Sequence, residues 1–224
     1  DDRILRTVIS EASAVDSYMA HTRWASVGSI TEANCHPINN YCSIEAKDEA
    51  SSVPTSESHF HAGQDGRVIN VVLNGDIDNY ALLRAELESD GKQCIDGSVT
   101  TDTKIIPLQI ERYLSAGHTL QEAFRRALND FEGSHAIAVE SNLEPDKVFL
   151  ALRGSGQSLY IGLCDNQYMF SSELYGLVEL TPYFIKMDGE SERVEGDQRT
   201  KGQIFVLMRE EGEDLSLIHI SEPT

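Results

Sequence analysis

Three short stretches hold residues that could do chemistry. The first is His21-Thr22-Arg23-Trp24-Ala25-Ser26-Val27-Gly28. Arg23 offers a planar fork able to grip a carboxylate through two hydrogen bonds. Trp24, the only tryptophan of the chain, follows it directly. Ala25, Ser26, Gly28 and Ser29 are small, so the backbone N–H groups of this turn can approach a ligand closely, and Gly28 can take backbone angles that bulkier residues resist. Together these suggest a pocket for a small carboxylate ligand. The plainer alternative is an ordinary loop with a surface arginine and a core tryptophan. The second stretch, Asn74-Gly75-Asp76, ends an apolar run. Asn-Gly is a turn signal, yet an Asn amide and a Gly N–H at a strand end are also two donors aimed one way, the makings of an oxyanion hole. The third stretch is Thr101-Asp102-Thr103, where the ordinary role for Asp102 is a helix N-cap.

The elements that must carry these residues follow from periodicity. Ile4 to Val15 has helical spacing, and Tyr18–Trp24 reads as a strand delivering Arg23 to its end. Pro37, in Asn34-Cys35-His36-Pro37, breaks any regular element. Residues 43–66 are polar and early acidic, a surface excursion longer than most loops. Its His59 and His61 alternate as two ligands might, but no thiolate or carboxylate stands at a fixed spacing, so no metal site is expected. Val68–Leu73 is a β-branched run that reads as a buried strand. Asp78 then caps a helix carrying Tyr80, Leu83 and Leu87, with Gly91 as its stop. A second helix places Ile105, Ile106, Ile110, Tyr113 and Leu114 inward, with Pro107 expected to distort its first turns and Gly117 ending it. Thr119–Glu122 is a capping box before a third helix striped by Leu120, Ala123, Phe124, Ala127, Leu128 and Phe131. Strands are expected at 135–139, 148–152, 159–163, 168–171, 184–187 and 203–208, with a short helix at 172–178. Strands, adjacent helices and more strands suggest antiparallel sheets covered by helices, not alternating βαβ units.

The bounds are those of an ordinary domain. A chain of 224 residues, 40% apolar, can bury a real core. Its net charge of −19 repels nucleic acid and anionic membrane surfaces. No apolar run approaches the roughly 20 residues that span a bilayer. Cys35, Cys42, Cys94 and Cys164 are scattered without a Cys-x-x-Cys pair, which argues for free thiols in a reducing, cytoplasmic compartment. Residues 216–224, following an acidic turn at 210–214, look unlike the rest and read as a non-native tail outside the fold.

Taken in order, the blocks 21–28, 73–79 and 101–103, followed by Ala151-Leu-Arg-Gly-Ser155, Leu159-Tyr-Ile-Gly-Leu163 and Phe170-Ser-Ser-Glu173, resemble the glutaminase domain of glutamine–fructose-6-phosphate aminotransferases, the glucosamine-6-phosphate synthases. More broadly they resemble class II glutamine amidotransferases, which are N-terminal-nucleophile hydrolases. The order of blocks carries the likeness, and the His-Thr-Arg-Trp form points to the sugar-aminating branch.

The resemblance implies an α+β fold: a four-layer αββα sandwich of two mostly antiparallel sheets, incomplete at the N-terminus. It makes Arg23 the holder of the glutamine α-carboxylate and Asp102 the holder of the α-ammonium. Asn74 and Gly75 match the oxyanion hole, and Trp24 heads the loop that closes over glutamine. Ser26 and Val27 stand where the family usually has Thr and His; Ser keeps a hydroxyl, and Val loses an imidazole, a mild loss if that position binds through its backbone. His36 matches the histidine of the Asn-x-His-Pro block, with a loop-positioning role. An arginine and an aspartate at fixed separation would read both charges of a free amino acid. The nucleophile implied is an N-terminal cysteine whose own amino group is the base. None of the four cysteines is N-terminal, so residues 1–208 read as an internal piece of the glutaminase domain, with 43–66 inserted and 209–224 appended, and inactive alone. The implied partners are L-glutamine and L-glutamate, sugar-isomerase domains of the same polypeptide and a second copy in a homodimer, with no cofactor, metal, nucleic acid or membrane. The alternatives are a degenerate glutamine-binding regulatory module, or the glutaminase domain of another class II amidotransferase.

Overall fold

The computed structural model describes residues 17–43, 60–61, 66–89, 95–165, 167–197, 200–209 and 215–220. The elements run β1 (Ile38–Asn39), β2 (Cys42–Ser43), β3 (Phe60–His61), β4 (Ile69–Gly75), α1 (Tyr80–Ser89), α2 (Ile105–Ser115), α3 (Leu120–Asp130), β5 (His135–Ser141), β6 (Lys147–Arg153), β7 (Tyr160–Cys164), β8 (Gln167–Ser171), β9 (Phe184–Lys186), β10 (Gln203–Arg209) and β11 (Leu215–Ile220). A six-stranded sheet has the order β1-β4-β5-β6-β10-β11, and a three-stranded sheet the order β8-β7-β9. Every pairing is antiparallel.

Alternation along each strand divides the core in two. Ile69, Val71 and Leu73 of β4 face α1, α2 and α3 together with Ile137, Val139, Phe149, Ala151, Ile204 and Val206. Val72, Ala138, Leu150, Leu152 and Phe205 face the opposite way, onto Leu159, Ile161 and Met187 of the smaller sheet's side. Helices, large sheet and small sheet are thus three successive layers of the expected sandwich. The stretch Ile4–Val15, read as a helix, lies outside the described residues, as do His59, Gly91 and most of 43–66.

The helical stripes fall where the 3.6-residue period puts them. Thr119 accepts the Glu122 N–H at 3.3 Å, the capping half of the expected box. Pro107 is the third residue of α2, in a first turn whose N–H groups need no helical partner, and the helix continues through it. The chain before α2 is a 3₁₀ turn over Asp102–Lys104. Gly117, at φ +89°, stops the helix as expected.

Five expectations are corrected. Tyr18–Trp24 has no ladder partner among the described residues and is not a strand: Met19 packs on the core between the sheets while the following residues line a cavity. Asn74-Gly75 is not a hairpin turn. Its residues are the last two of β4, paired with Ala136 and His135. The residue before α1 is Asn79, whose carbonyl accepts the Leu82 and Leu83 N–H groups, so Asp78 stands one place too early to cap it. Residues 172–178 give only a 3₁₀ turn over Leu174–Gly176, closed by the Leu177 N–H donating to the Leu174 carbonyl. Leu215–Ile220, excluded above, is the strand at the edge of the large sheet, in register with all of Ile204–Arg209.

Candidate active site

One cavity of about 280 Å³ opens at the C-terminal end of β4. Its walls include Arg23, Trp24, Ser26 and Val27 from the first loop, His36, Asn74 and Gly75 from β4, and Asp102. The residues assigned to the site from the sequence therefore reach one place, from four separate stretches of chain.

Asn34 makes the meeting possible. It is fully buried, and its side-chain oxygen accepts the N–H groups of Thr100 (2.8 Å) and Thr101 (3.0 Å). Its amide nitrogen lies within 3.1 Å of the Ser29 carbonyl and 2.8 Å of the Thr31 hydroxyl. Gly28, at φ +83°, presses against the same segment: a Cβ there would lie 2.8 Å from the Thr100 carbonyl carbon. The Arg23 loop and the approach to Asp102 are thus one rigid unit, and nothing larger than glycine fits the contact.

Within the loop, Arg23 donates from Nη1 to the Ser29 carbonyl at 3.1 Å and from Nη2 to the Val27 carbonyl. These bonds curl the loop around the guanidinium and use two of its five donors. Val27 therefore acts through its backbone here. Trp24 is 94% exposed at the cavity wall and is no part of the core.

Asp102 does not cap the 3₁₀ turn; Thr101 does, accepting the Thr103 N–H. The Asp102 Oδ2 instead accepts the Ile77 N–H at 2.9 Å, tying the segment to the chain just past Gly75. Burial raises the carboxyl above its ordinary range, with Asp76 adding to the rise and the Ile77 N–H opposing it.

His36 links the two remaining segments. Its Nε2 lies 2.9 Å from the Thr103 hydroxyl, and its Nδ1 accepts the Leu73 N–H at 3.5 Å. It stacks on His21 with ring centroids 4.6 Å apart. Burial, reinforced by His21 and Arg23, holds His36 down to about 4, so the ring is neutral at pH 7. His21 is lowered likewise, by burial and then Arg23.

Sequence reasoning missed Asp76, Gln157 and the Asn34 hub. Gln157 lines the cavity, and its Cγ would lie 3.0 Å from a Cβ on Gly75. Asn34 and Asp76 lay inside quoted blocks, with no signal for partners 66 and 50 residues away.

Comparison with known proteins shows the family. A profile of the glutamine amidotransferase domain matches residues 50–179, which include Asn74, Gly75 and Asp102. The chain belongs to the glutamine amidotransferase domain family. The Arg23 loop lies before that match, but full-length relatives are similar over most of the chain. A glutamine–fructose-6-phosphate aminotransferase (isomerizing) of Methanothermobacter thermautotrophicus is 34% identical over 182 residues, 81% of this chain and 26% of the relative. A protein of the same name from Clostridium tetani is 30% identical over 93% of this chain and 27% of its own length. The chain thus spans about a quarter of the curated relatives it matches. Among solved structures, the glutamine phosphoribosylpyrophosphate amidotransferase of B. subtilis, complexed with ADP and GMP, is similar in fold. Its TM-score is 0.57 at 18% identity, covering 89% of this chain and 34% of that one.

Proposed function

We propose that this domain binds L-glutamine in the cavity and supplies its hydrolysis to a larger aminotransferase that converts fructose 6-phosphate to glucosamine 6-phosphate. The observation that carries the reading is the convergence of Arg23, Asp102, Asn74 and Gly75 on one cavity. Arg23 holds the α-carboxylate through the donors its loop does not use, and Asp102 the α-ammonium. Trp24 covers the ligand. Attack on the side-chain amide carbon moves negative charge onto its oxygen, where the Asn74 amide and the Gly75 N–H are the donors. His36, with Thr103 and Leu73, keeps the walls in register. In this reaction class the nucleophile is an N-terminal cysteine, so hydrolysis is measured on a protein in which that residue heads the domain. The acceptor sugar, the isomerase domains and pairing of two copies belong to the same proposal, supported by the names of the relatives.

The test is calorimetric titration with L-glutamate, the reaction product. L-Glutamate should bind at least about tenfold more tightly than glutarate, which lacks the ammonium, and Arg23→Ala should lose at least about tenfold in affinity. Equal binding of glutarate and L-glutamate, or undiminished affinity in Arg23→Ala, overturns the reading.

A further inference from the structure

The roles given to Arg23, Asp102, Asn74 and Gly75 leave Asp76 without one. It follows Gly75 directly, lines the cavity and lies close enough to Asp102 to act on its charge. Its carboxylate Oδ1 accepts the hydroxyl of Ser26, 50 residues away, in the middle of the Arg23 loop.

That bond has a place in the loop's mechanics. The loop's far end is fastened to the segment carrying Asp102: the Ser29 N–H donates to the Thr100 hydroxyl at 3.1 Å, and Gly28 packs against the Thr100 backbone. Ser26 fastens the middle of the loop to the other wall, the end of β4. Without it, Trp24 to Val27 would be held by Arg23 and by the two ends of the loop alone, with no bond to the end of β4, and the separation of Arg23 from Asn74 would vary. A hydroxyl-to-carboxylate bond is charge-assisted, so it is strong for its size. Both groups are open to water, which competes for each, so the bond can release and re-form as a ligand enters.

We propose that Asp76 is a positioning residue, a latch that acts through the Ser26 hydroxyl to hold the Arg23 loop against the end of β4. The latch fixes the distance between the carboxylate fork and the oxyanion donors. Its ligand rests on the glutamine reading above; the latch itself does not.

The test compares Ser26→Ala, Asp76→Ala, the double variant and Asp76→Asn with the unaltered chain. The readouts are L-glutamate affinity and amide hydrogen exchange over residues 24–29. Each alanine variant should bind about tenfold more weakly, and the double variant no more than about twofold more weakly still, because the two changes remove one bond. Exchange over 24–29 should quicken in all three. Asp76→Asn should recover most of both losses, because its amide oxygen can still accept the Ser26 hydroxyl. Additive losses, unchanged exchange in Asp76→Ala, or an Asp76→Asn variant as weak as Asp76→Ala overturns the latch. If the unaltered chain fails to bind L-glutamate while Asp76→Ala still quickens exchange, the glutamine reading falls and the latch stands. If it binds and Asp76→Ala changes neither readout, the latch falls and the glutamine reading stands.

Discussion

The Asn34 side-chain oxygen accepts the Thr100 N–H at 2.8 Å, joining two loops 66 residues apart in sequence, the one that follows Arg23 and the one that leads to Asp102. The same oxygen takes the Thr101 N–H, and the Asn34 amide returns bonds to the loop it comes from. Asn34→Ala leaves the buried Thr101 N–H, the part-buried Thr100 N–H and several carbonyl and hydroxyl oxygens without this partner. The expected cost is about 2–4 kcal/mol, read by urea unfolding, accompanied by loss of L-glutamate affinity in the fraction that stays folded. Unchanged stability in Asn34→Ala would show that water takes over the bonds and that the hub is not structural.

Gly28→Ala should damage the same junction sterically. The new Cβ would meet the Thr100 carbonyl and the Thr101 nitrogen at 2.8 Å, on backbone that cannot swing aside, at a φ of +83°. Gly66 is the control, with a similar φ of +76° and nothing among the described residues within 4 Å of its Cβ. Gly66→Ala should cost only the backbone strain, roughly 1–2 kcal/mol. Gly28→Ala should cost more and also weaken L-glutamate binding, whereas Gly66→Ala should leave binding unaltered. Equal effects of the two substitutions on both readouts would remove the argument from contact.

What was legible in the sequence was whatever the chain encodes locally. The stripes of α2 and α3 and the β-branched run of β4 need no distant partner to be seen, and the charge and hydrogen-bonding type of Arg23, Asn74 and Asp102 announce themselves. Features made by pairing were not legible. Tyr18–Trp24 has strand composition without a ladder partner among the described residues, while Leu215–Ile220 has one in β10. Asp102 looked like a cap because caps are local; its bond to the Ile77 N–H is not. Ser26 and Asp76 gave no sign of each other for the same reason.

His135 predicts an acid-sensitive fold. It is fully buried beside Phe131, and neither ring nitrogen has a hydrogen-bond partner among the described residues. Burial, and then Arg153, holds the ring down to about 3. The unfolded chain therefore takes up this proton first, and the stability present above about pH 6.5 is lost as pH falls toward 3. By pH 5 the loss from this ring alone is about 2 kcal/mol. His135→Phe keeps an aromatic ring against Phe131 and removes two unsatisfied nitrogens. It should be at least as stable as the unaltered chain at pH 7 and should gain on it as the pH drops, in urea unfolding at pH 7 and pH 5. Identical pH slopes for the two proteins would show that His135 does not titrate in this window.

Asp102 predicts the opposite linkage to the fold and a loss of ligand with acid. Burial raises its carboxyl above the ordinary range, so the folded chain holds this proton more tightly than the unfolded one. Protonating Asp102 consequently favours folding, and the stability it adds fades only as pH rises through the raised value. Ligand binding has the reverse requirement, because only the ionised carboxylate attracts an α-ammonium. Affinity for L-glutamine, whose side chain carries no charge, should fall as pH drops through that raised value, at a limiting slope of about tenfold per pH unit. The neighbouring imidazoles run with the same sign: His36, held at about 4, and His21, also lowered, add positive charge near the ammonium when they take up a proton. Asp102→Asn should bind weakly, with an affinity nearly independent of pH across the window in which the unaltered chain changes. Calorimetric titrations from pH 8 downward for as long as the chain stays folded, with circular dichroism recorded at each point to follow folding, separate ligand loss from unfolding. A pH profile for Asp102→Asn that parallels the unaltered chain would show that another group carries the titration and that Asp102 does not hold the ammonium.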